Sequence, residues 1–201
     1  MSKLLKVFLA FVGTAFLATS IHTQATIEEV IVTAQRTEQS LQDVPISVSA
    51  FTDEILTERQ IEVASDLQLQ VPGVGYSSNT FGTGGFSIRG ITNLATAASS
   101  DAGVEVHLNG LPLGTTSTNE LGFMDMSRIE VLRGPQGTLF GRNSTGGVVN
   151  LITNRVDLDE FYGRTRLQYG TDGEKQLDLM LNFPITDNFG IRVAYNNLDL
   201  S

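Results

Sequence analysis

Five glycines fall between Arg128 and Thr153, in the stretch RIEVLRGPQGTLFGRNSTGGVVNLIT, with a strand-like run at each end. Glycine adopts backbone conformations that other residues avoid, so this density predicts sharp turns and close packing against another surface. The stretch contains no catalytic pair of side chains. The surface against which this backbone packs therefore says more about function than any side chain within it.

The first 25 residues predict an export signal. Lys3 and Lys6 form a basic start, Val7 to Leu17 is an apolar run, and Thr23 to Ala25 resembles a small-residue cleavage site. The apolar run is too short to span a membrane as a helix. We expect cleavage after Ala25, and an uncleaved N-terminal anchor is the alternative.

Composition excludes several classes of function. The net charge of −9 argues against a nucleic-acid partner, and the absence of cysteine excludes disulfides and thiol chemistry. His107 stands alone on a predicted strand, without a second histidine nearby to form a metal site. Gly141 to Ser144 lacks the spacing and the lysine of a phosphate-binding loop. We therefore predict neither an enzyme nor a bound cofactor.

Residues 44–157 have the pattern of a compact α/β unit. Its predicted strands alternate or are rich in β-branched residues. Asp53 and Ser65 can cap the first two short helices, and Pro72-Gly73 ends the second. The predicted strands are Ile46–Phe51, Phe86–Gly90, Val104–Leu108, Ile129–Leu132 and Val148–Ile152, and the predicted helices are Asp53 to about Gln60, Ser65–Leu69 and one turn at Gln136–Phe140.

The last forty residues alternate between a mainly apolar and a mainly polar set of side chains. Arg164, Arg166 and Gln168 fall on one strand face, and two further alternating runs follow the turn signals at Asp172-Gly173 and Asp187-Asn188. Strands of about ten residues with one apolar face are typical of a transmembrane β-barrel. A soluble antiparallel sheet with one wet face has the same period. The export signal and the strand lengths favour the outer membrane.

A short β-prone segment, Glu29 to Ala34 (EVIVTA), precedes a polar stretch, residues 35–43, that we predict to be a flexible tether. An extended segment on a tether can add as a strand to the edge of a partner's sheet. Composition alone favours an ordinary edge strand of this domain instead.

Three arginines, Arg89, Arg133 and Arg142, each stand close to glycine in apolar or small surroundings. Such an arginine is either solvated at a strand end or buried at an interface, where it needs a carboxylate partner. Glu130 is three residues from Arg133, and because strand side chains alternate faces, we expect the partner of Arg133 elsewhere.

Several motifs together resemble the N-terminal half of TonB-dependent outer-membrane receptors. The order and spacing match from about residue 28 onward, and the joint occurrence of the motifs is highly specific. The motifs are EVIVTA (Glu29–Ala34), DVPISVSAF (Asp43–Phe51), VPGV (Val71–Val74), SIRGI (Ser87–Ile91), VEVHLNGLP (Val104–Pro112) and the stretch Arg128–Thr153.

The resemblance implies an α/β plug domain with a small mixed sheet, followed by the first antiparallel strands of a transmembrane β-barrel. The expected boundaries are 1–25 for the signal peptide, 26–43 for the TonB box and tether, 44–157 for the plug and 158–201 for about three barrel strands. A family barrel has about 22 strands, so the resemblance implies a fragment or a truncated product that cannot transport alone.

The resemblance also implies a function and its partners. The function is energised uptake of a scarce nutrient, most often a ferric siderophore, across the outer-membrane lipid of a Gram-negative bacterium. A plug-only periplasmic binding or signalling module is the alternative. The TonB periplasmic domain would bind the box residues Glu29, Val30, Ile31, Val32, Thr33 and Ala34. Plug–barrel packing or charge contacts would involve Arg89, Arg133, Arg142, Gly134 and Gly147, and the ligand would meet the loop residues Ser77, Asn79, Phe81, Asn93 and Leu94.

Overall fold

The structure, a computed structural model, describes residues 29–78, 84–92, 103–113, 122–170, 173 and 175–199. The export signal predicted at residues 1–25 lies outside them. Four sheets and a few short helices make up the described chain. In chain order the elements are β1 (Ile31–Val32), β2 (Gln39–Ser40), β3 (Ser47–Thr52), α1 (Asp53–Glu58), a 3-10 turn (Ala64–Asp66), α2 (Leu67–Gln70), β4 (Val74–Ser78), β5 (Gly84–Ile88), β6 (Ile91–Thr92), β7 (Val104–Leu108), β8 (Leu111–Pro112), β9 (Met126–Arg133), α3 (Gly137–Phe140), β10 (Gly147–Thr153), β11 (Tyr162–Tyr169), β12 (Lys175–Thr186) and β13 (Phe189–Asp199).

A mixed five-stranded sheet forms the centre of the α/β domain, in the order β3-β9-β10-β7-β8. Strand β9 runs antiparallel to β3 and β10, whereas β7 runs parallel to β10. The small mixed sheet with short helices that the sequence predicted is therefore confirmed.

Both faces of this sheet are covered. On one face, Phe51, Ile129 and Val131 join a core that includes residues of the short helices and of β5. On the other face, Leu132 and Val148 pack with Phe140 of α3 and with the segment that contains β1; Val32 and Ala34 complete that second core. Strand alternation explains the division, because successive side chains of β9 point to opposite faces.

Strands β4, β5 and β6 form a separate three-stranded antiparallel sheet. Only the middle strand was predicted from the sequence. Val74 to Ser78 has a single β-branched residue and ends in two serines, so its strand conformation depends on pairing with β5 rather than on its own propensity.

Strands β11, β12 and β13 form an antiparallel sheet, named here the C-terminal sheet. One face carries exposed apolar side chains such as Leu167, Leu181 and Val193, and the other carries Arg166 and the buried Asn182. The predicted alternation and the three strands are both confirmed, with strand ends shifted by a few residues.

Within the described ranges, no helix is both long enough and apolar enough to cross a membrane.

Candidate functional site

The Glu29–Ala34 segment folds back onto the α/β domain as one arm of a hairpin. Strand β1 pairs antiparallel with β2, Leu41 N donates to Val30 O at 2.9 Å, and Arg36 N donates to Thr33 O at 2.8 Å to close the turn. A polar tether was predicted at residues 35–43, and the structure instead contains the return strand there. The return strand consists of Gln39 and Ser40, which have low β-propensity, and this is why composition did not indicate it.

Alternate side chains of the segment anchor the hairpin. Val32 and Ala34 are fully buried against Leu132, Phe140 and Val148, whereas Ile31 is 41% exposed. Burial of one valine side chain contributes about 1.5–3 kcal/mol. The apolar contacts therefore hold the hairpin in place, but with only a small interface.

A second hold lies at the turn of the hairpin. The Arg36 Nε donates to Leu139 O at 2.7 Å, and its guanidinium carbon lies 5.3 Å from the centre of the Phe140 ring. An arginine stacked on an aromatic ring contributes about 0.5–1 kcal/mol when exposed. Arg36 thus fixes the turn to α3.

The buried carboxylate of Glu130 binds the same segment through hydrogen bonds from Thr33. Glu130 Oε1 accepts hydrogen bonds from Thr33 N at 2.7 Å, from Thr33 Oγ1 at 3.1 Å and from Arg128 Nε at 2.8 Å. Its Oε2 accepts from Asn150 Nδ2 at 3.2 Å, and Arg128 Nη2 donates to Thr33 Oγ1 at 3.1 Å. We name these four residues the Glu130 cluster.

Strand geometry assembles the Glu130 cluster. Arg128 and Glu130 are two residues apart on β9 and share a face, and Asn150 lies directly opposite Glu130 on β10. A charge without solvent contact requires a counter-ion and hydrogen bonds, and here Arg128 supplies both. The sequence did not indicate the link to Thr33, because the two residues are 97 positions apart.

His107 extends this polar row across the sheet, since it lies opposite Asn150. The ring is buried, its Nδ1 is 3.4 Å from Gly110 O, and its Nε2 is 3.4 Å from Glu105 Oε2. It also meets Phe140 edge-on, with ring centres 5.2 Å apart. These contacts give the histidine a structural role, and the described residues contain no group of three potential metal ligands.

The three arginines predicted to contact a barrel all lie within the described residues. Arg89 and Arg142 are exposed, and Arg89 has a positive φ of 53°. Arg133 is half-buried and its Nη1 donates to Pro72 O at 3.4 Å, while its Nε is buried without a partner among the described atoms. Contact of these three with a barrel stays a prediction.

The two predicted packing glycines differ in their surroundings. A Cβ at Gly147 would lie 2.2 Å from Leu132 O, whereas the nearest atom to a Cβ at Gly134 is Arg89 Nη1 at 3.9 Å. Both have positive φ, 152° for Gly147 and 113° for Gly134. Gly147 is thus required for close approach within the α/β domain itself, and Gly134 for its backbone conformation.

Contacts between the α/β domain and the C-terminal sheet are made by other arginines. Arg192 of β13 forms a two-pronged ion pair with Asp125, at 2.6 and 2.7 Å, and donates to Tyr162 Oη at 2.8 Å. On β11, Arg164 pairs with Asp53 at 2.8 Å. The alternation placed Arg164 on the polar face, but it did not identify a partner.

Arg166 adds a third contact between the same two bodies. Its Nη2 donates to Thr57 Oγ1 at 2.9 Å, and its Nη1 lies 3.4 Å from Glu62 and 3.7 Å from Asp178. These pairs surround a cavity of about 100 Å³. The contact between the α/β domain and the C-terminal sheet is thus charged, which fits a polar sheet face turned inward.

Of the loop residues predicted to meet a ligand, Ser77 lies exposed near the end of β4. Asn79, Phe81, Asn93 and Leu94 lie outside the described residues.

Comparison with known proteins identifies the class. The family model of the TonB-dependent receptor plug domain matches residues 40–148. Over 178 residues the chain is 29% identical to an iron-regulated outer membrane virulence protein of Vibrio cholerae, covering 84% of this chain and 27% of that protein. Over 172 residues it is 30% identical to the vitamin B12 transporter BtuB of Vibrio vulnificus, covering 82% and 26%.

Solved structures show the same fold. The pyoverdine outer membrane receptor FpvA of Pseudomonas aeruginosa superimposes with a TM-score of 0.70 at 21% identity, over 84% of this chain and 24% of that one. The ferric yersiniabactin uptake receptor FyuA of Yersinia pestis gives 0.59 at 23% identity, over 71% and 22%.

The chain belongs to the TonB-dependent receptor family and carries its plug domain. It spans about a quarter of the length of the curated relatives it matches.

Proposed function

We propose that this chain supplies the plug, the coupling segment and the first wall strands of an outer-membrane receptor that takes up a ferric siderophore. One observation carries the proposal: a plug domain whose β-prone N-terminal segment is docked on it by small contacts. Glu29–Ala34 is the TonB box in this proposal. The coupling protein binds it by strand addition and pulls, which remodels the plug and opens a path.

The ligand class follows from the relatives. One curated relative is named as iron-regulated, and two of the solved structures are receptors for pyoverdine and ferric yersiniabactin. Another relative is named a vitamin B12 transporter, so a corrinoid is the competing ligand. Uptake of a radiolabelled ferric siderophore, with labelled cobalamin in parallel, distinguishes the two.

The coupling assignment is tested at Ile31. Proline at this position removes a backbone donor from the strand, so Ile31→Pro is expected to reduce energised uptake at least tenfold while ligand binding stays within twofold of wild type. Ile31→Val, which keeps the donor and the β-branched shape, is the control and retains uptake. Equal loss of binding and uptake in Ile31→Pro would show that the segment serves the fold rather than coupling.

A further inference from the structure

The two backbone edges of β1 have different hydrogen-bond partners: one edge pairs with β2, and the other contacts Glu130. Leu41 N donates to Val30 O at 2.9 Å, so the backbone groups of Val30 and Val32 face β2. Successive residues of a strand direct these groups to opposite edges, so both backbone groups of Ile31 and the N–H of Thr33 face away from β2, while Thr33 O accepts from Arg36 N in the turn. At this outer edge, Thr33 N donates to the Glu130 carboxylate at 2.7 Å. The outer edge is thus without a strand partner among the described residues, and the Thr33 N–H at this edge is bonded to the Glu130 carboxylate.

An added strand needs the same donor. A backbone N–H makes one well-aligned hydrogen bond, and a partner strand would accept it with a carbonyl oxygen. The Glu130 carboxylate occupies that position, at a charge-assisted distance. Attachment of Thr33 to Glu130 and strand addition at Thr33 therefore exclude each other.

Release of Thr33 leaves Glu130 satisfied. The carboxylate keeps Arg128 Nε at 2.8 Å and Asn150 Nδ2 at 3.2 Å, neither of which belongs to the segment. A buried charge that loses all its partners is strongly destabilising, and these two contacts prevent that state. The attachment is thus reversible, because the acid has a stable environment whether the segment is docked or free.

We propose that the outer edge of β1 is the partner-binding edge, and that Glu130 holds it closed. An extended strand of the energy-coupling protein replaces the carboxylate at Thr33 while β2 remains paired to β1, which gives a three-stranded sheet in the order β2-β1-partner. This rests on the proposed function, because it takes Glu29–Ala34 as the coupling segment.

A reversible crosslink tests which edge is used. Ile31 and Ser40 face each other at a non-hydrogen-bonded position of the hairpin, where Cα atoms lie about 4.5 Å apart, within reach of a disulfide. The chain has no native cysteine, so Ile31→Cys with Ser40→Cys gives one possible bond. The same protein in reduced form is the control for the loss of the isoleucine side chain.

The measurement is binding of the soluble periplasmic domain of TonB to this 201-residue chain in detergent micelles. The oxidised variant is expected to bind within threefold of the reduced variant. Binding by the reduced form with a loss of more than tenfold on oxidation would overturn the inference, because β1 would then have to leave β2. Absence of binding by wild type and reduced variant alike would refute the proposed function instead.

Glu130 is tested in the same assay. Glu130→Gln weakens the acceptor at Thr33, and Glu130→Asp withdraws it while keeping the charge for Arg128; both are expected to tighten TonB binding at least fivefold. Asp53→Asn, which removes a carboxylate that pairs with Arg164 and does not contact the hairpin, is the control and stays within twofold. Unchanged or weaker binding in a folded Glu130 variant would overturn the role of this acid.

Discussion

Replacement of Gly147 by alanine tests the close packing of the plug most directly. Gly147 begins β10 and lies opposite Arg133 of β9 and Val104 of β7. A Cβ there would be 2.2 Å from Leu132 O and 2.8 Å from Ile88 Cδ1. The isoleucine end can move, but the carbonyl belongs to the neighbouring strand. The strands must separate by about 1 Å before a normal van der Waals contact is reached.

The cost can be built from two contributions. A non-glycine residue at an unfavourable positive φ costs about 1–3 kcal/mol. Separation of the strands weakens the ladder next to Gly147, and one or two weakened hydrogen bonds cost about 1 kcal/mol each. We expect Gly147→Ala to lower the free energy of unfolding by about 2–5 kcal/mol, a large share of the roughly 5–15 kcal/mol of a typical domain.

Gly137 provides a matched control. It is the first residue of α3, and a Cβ there would have no neighbour within 4 Å. Alanine in a helix is more stable than glycine by about 0.5–1 kcal/mol, so Gly137→Ala is expected to be neutral or slightly stabilising. Urea unfolding followed by far-ultraviolet circular dichroism measures both. At a slope of about 1.5 kcal/mol per molar, the midpoint of Gly147→Ala falls by about 1.3–3.3 M. A shift below 0.5 M, or an equal fall in both variants, would refute the reasoning.

Two further predictions concern the contacts on either side of the plug. Val32→Ser removes a buried contact of the hairpin and should raise the rate of limited proteolysis near residue 32 by about tenfold. Serine at the exposed Ile31 should leave that rate within twofold of wild type. Equal proteolysis rates in the two variants would exclude docking by Val32. Asp125→Asn should destabilise the plug against the C-terminal sheet by about 2–4 kcal/mol, because it leaves the mostly buried Arg192 without its counter-ion. Asp53→Asn should cost less than about 1 kcal/mol, since Arg164 is more than half exposed; urea titrations that ranked the two in the opposite order would contradict this.

The strands that were predicted correctly are those whose side-chain pattern can be recognised from neighbouring residues alone. β12 and β13 alternate over long runs, and β7 was predicted with the bounds that it has in the structure. The period of two depends only on which side of a strand each residue occupies, so neighbouring residues reveal it. β2 and β4 were missed because they are strands only through their partners, β1 and β5.

The candidate site was predicted in part. The EVIVTA motif indicated Glu29–Ala34 as a partner-binding segment. It did not indicate that the segment docks on the plug or that Glu130 accepts hydrogen bonds from it. From the sequence, Glu130 was a candidate partner only for Arg133, and the alternation of strand side chains excluded that pairing. The same alternation places Glu130 beside Arg128, which the structure confirms at 2.8 Å. The contact with Thr33 depends on the path of 97 intervening positions, which no local pattern encodes.

The contacts that hold the hairpin on the plug and those that join the plug to the C-terminal sheet differ in whether breaking them leaves a buried charge unpaired. The hairpin is held by two buried apolar side chains, by Arg36 and by the Glu130 cluster. The two-pronged pair between Asp125 and Arg192 instead fixes the start of β9 to the C-terminal sheet, and it breaks only if a mostly buried arginine loses its counter-ion. When the hairpin leaves, Glu130 retains Arg128, so no buried charge is abandoned. Detachment of the hairpin should therefore precede any loss of the contact between the plug and the C-terminal sheet.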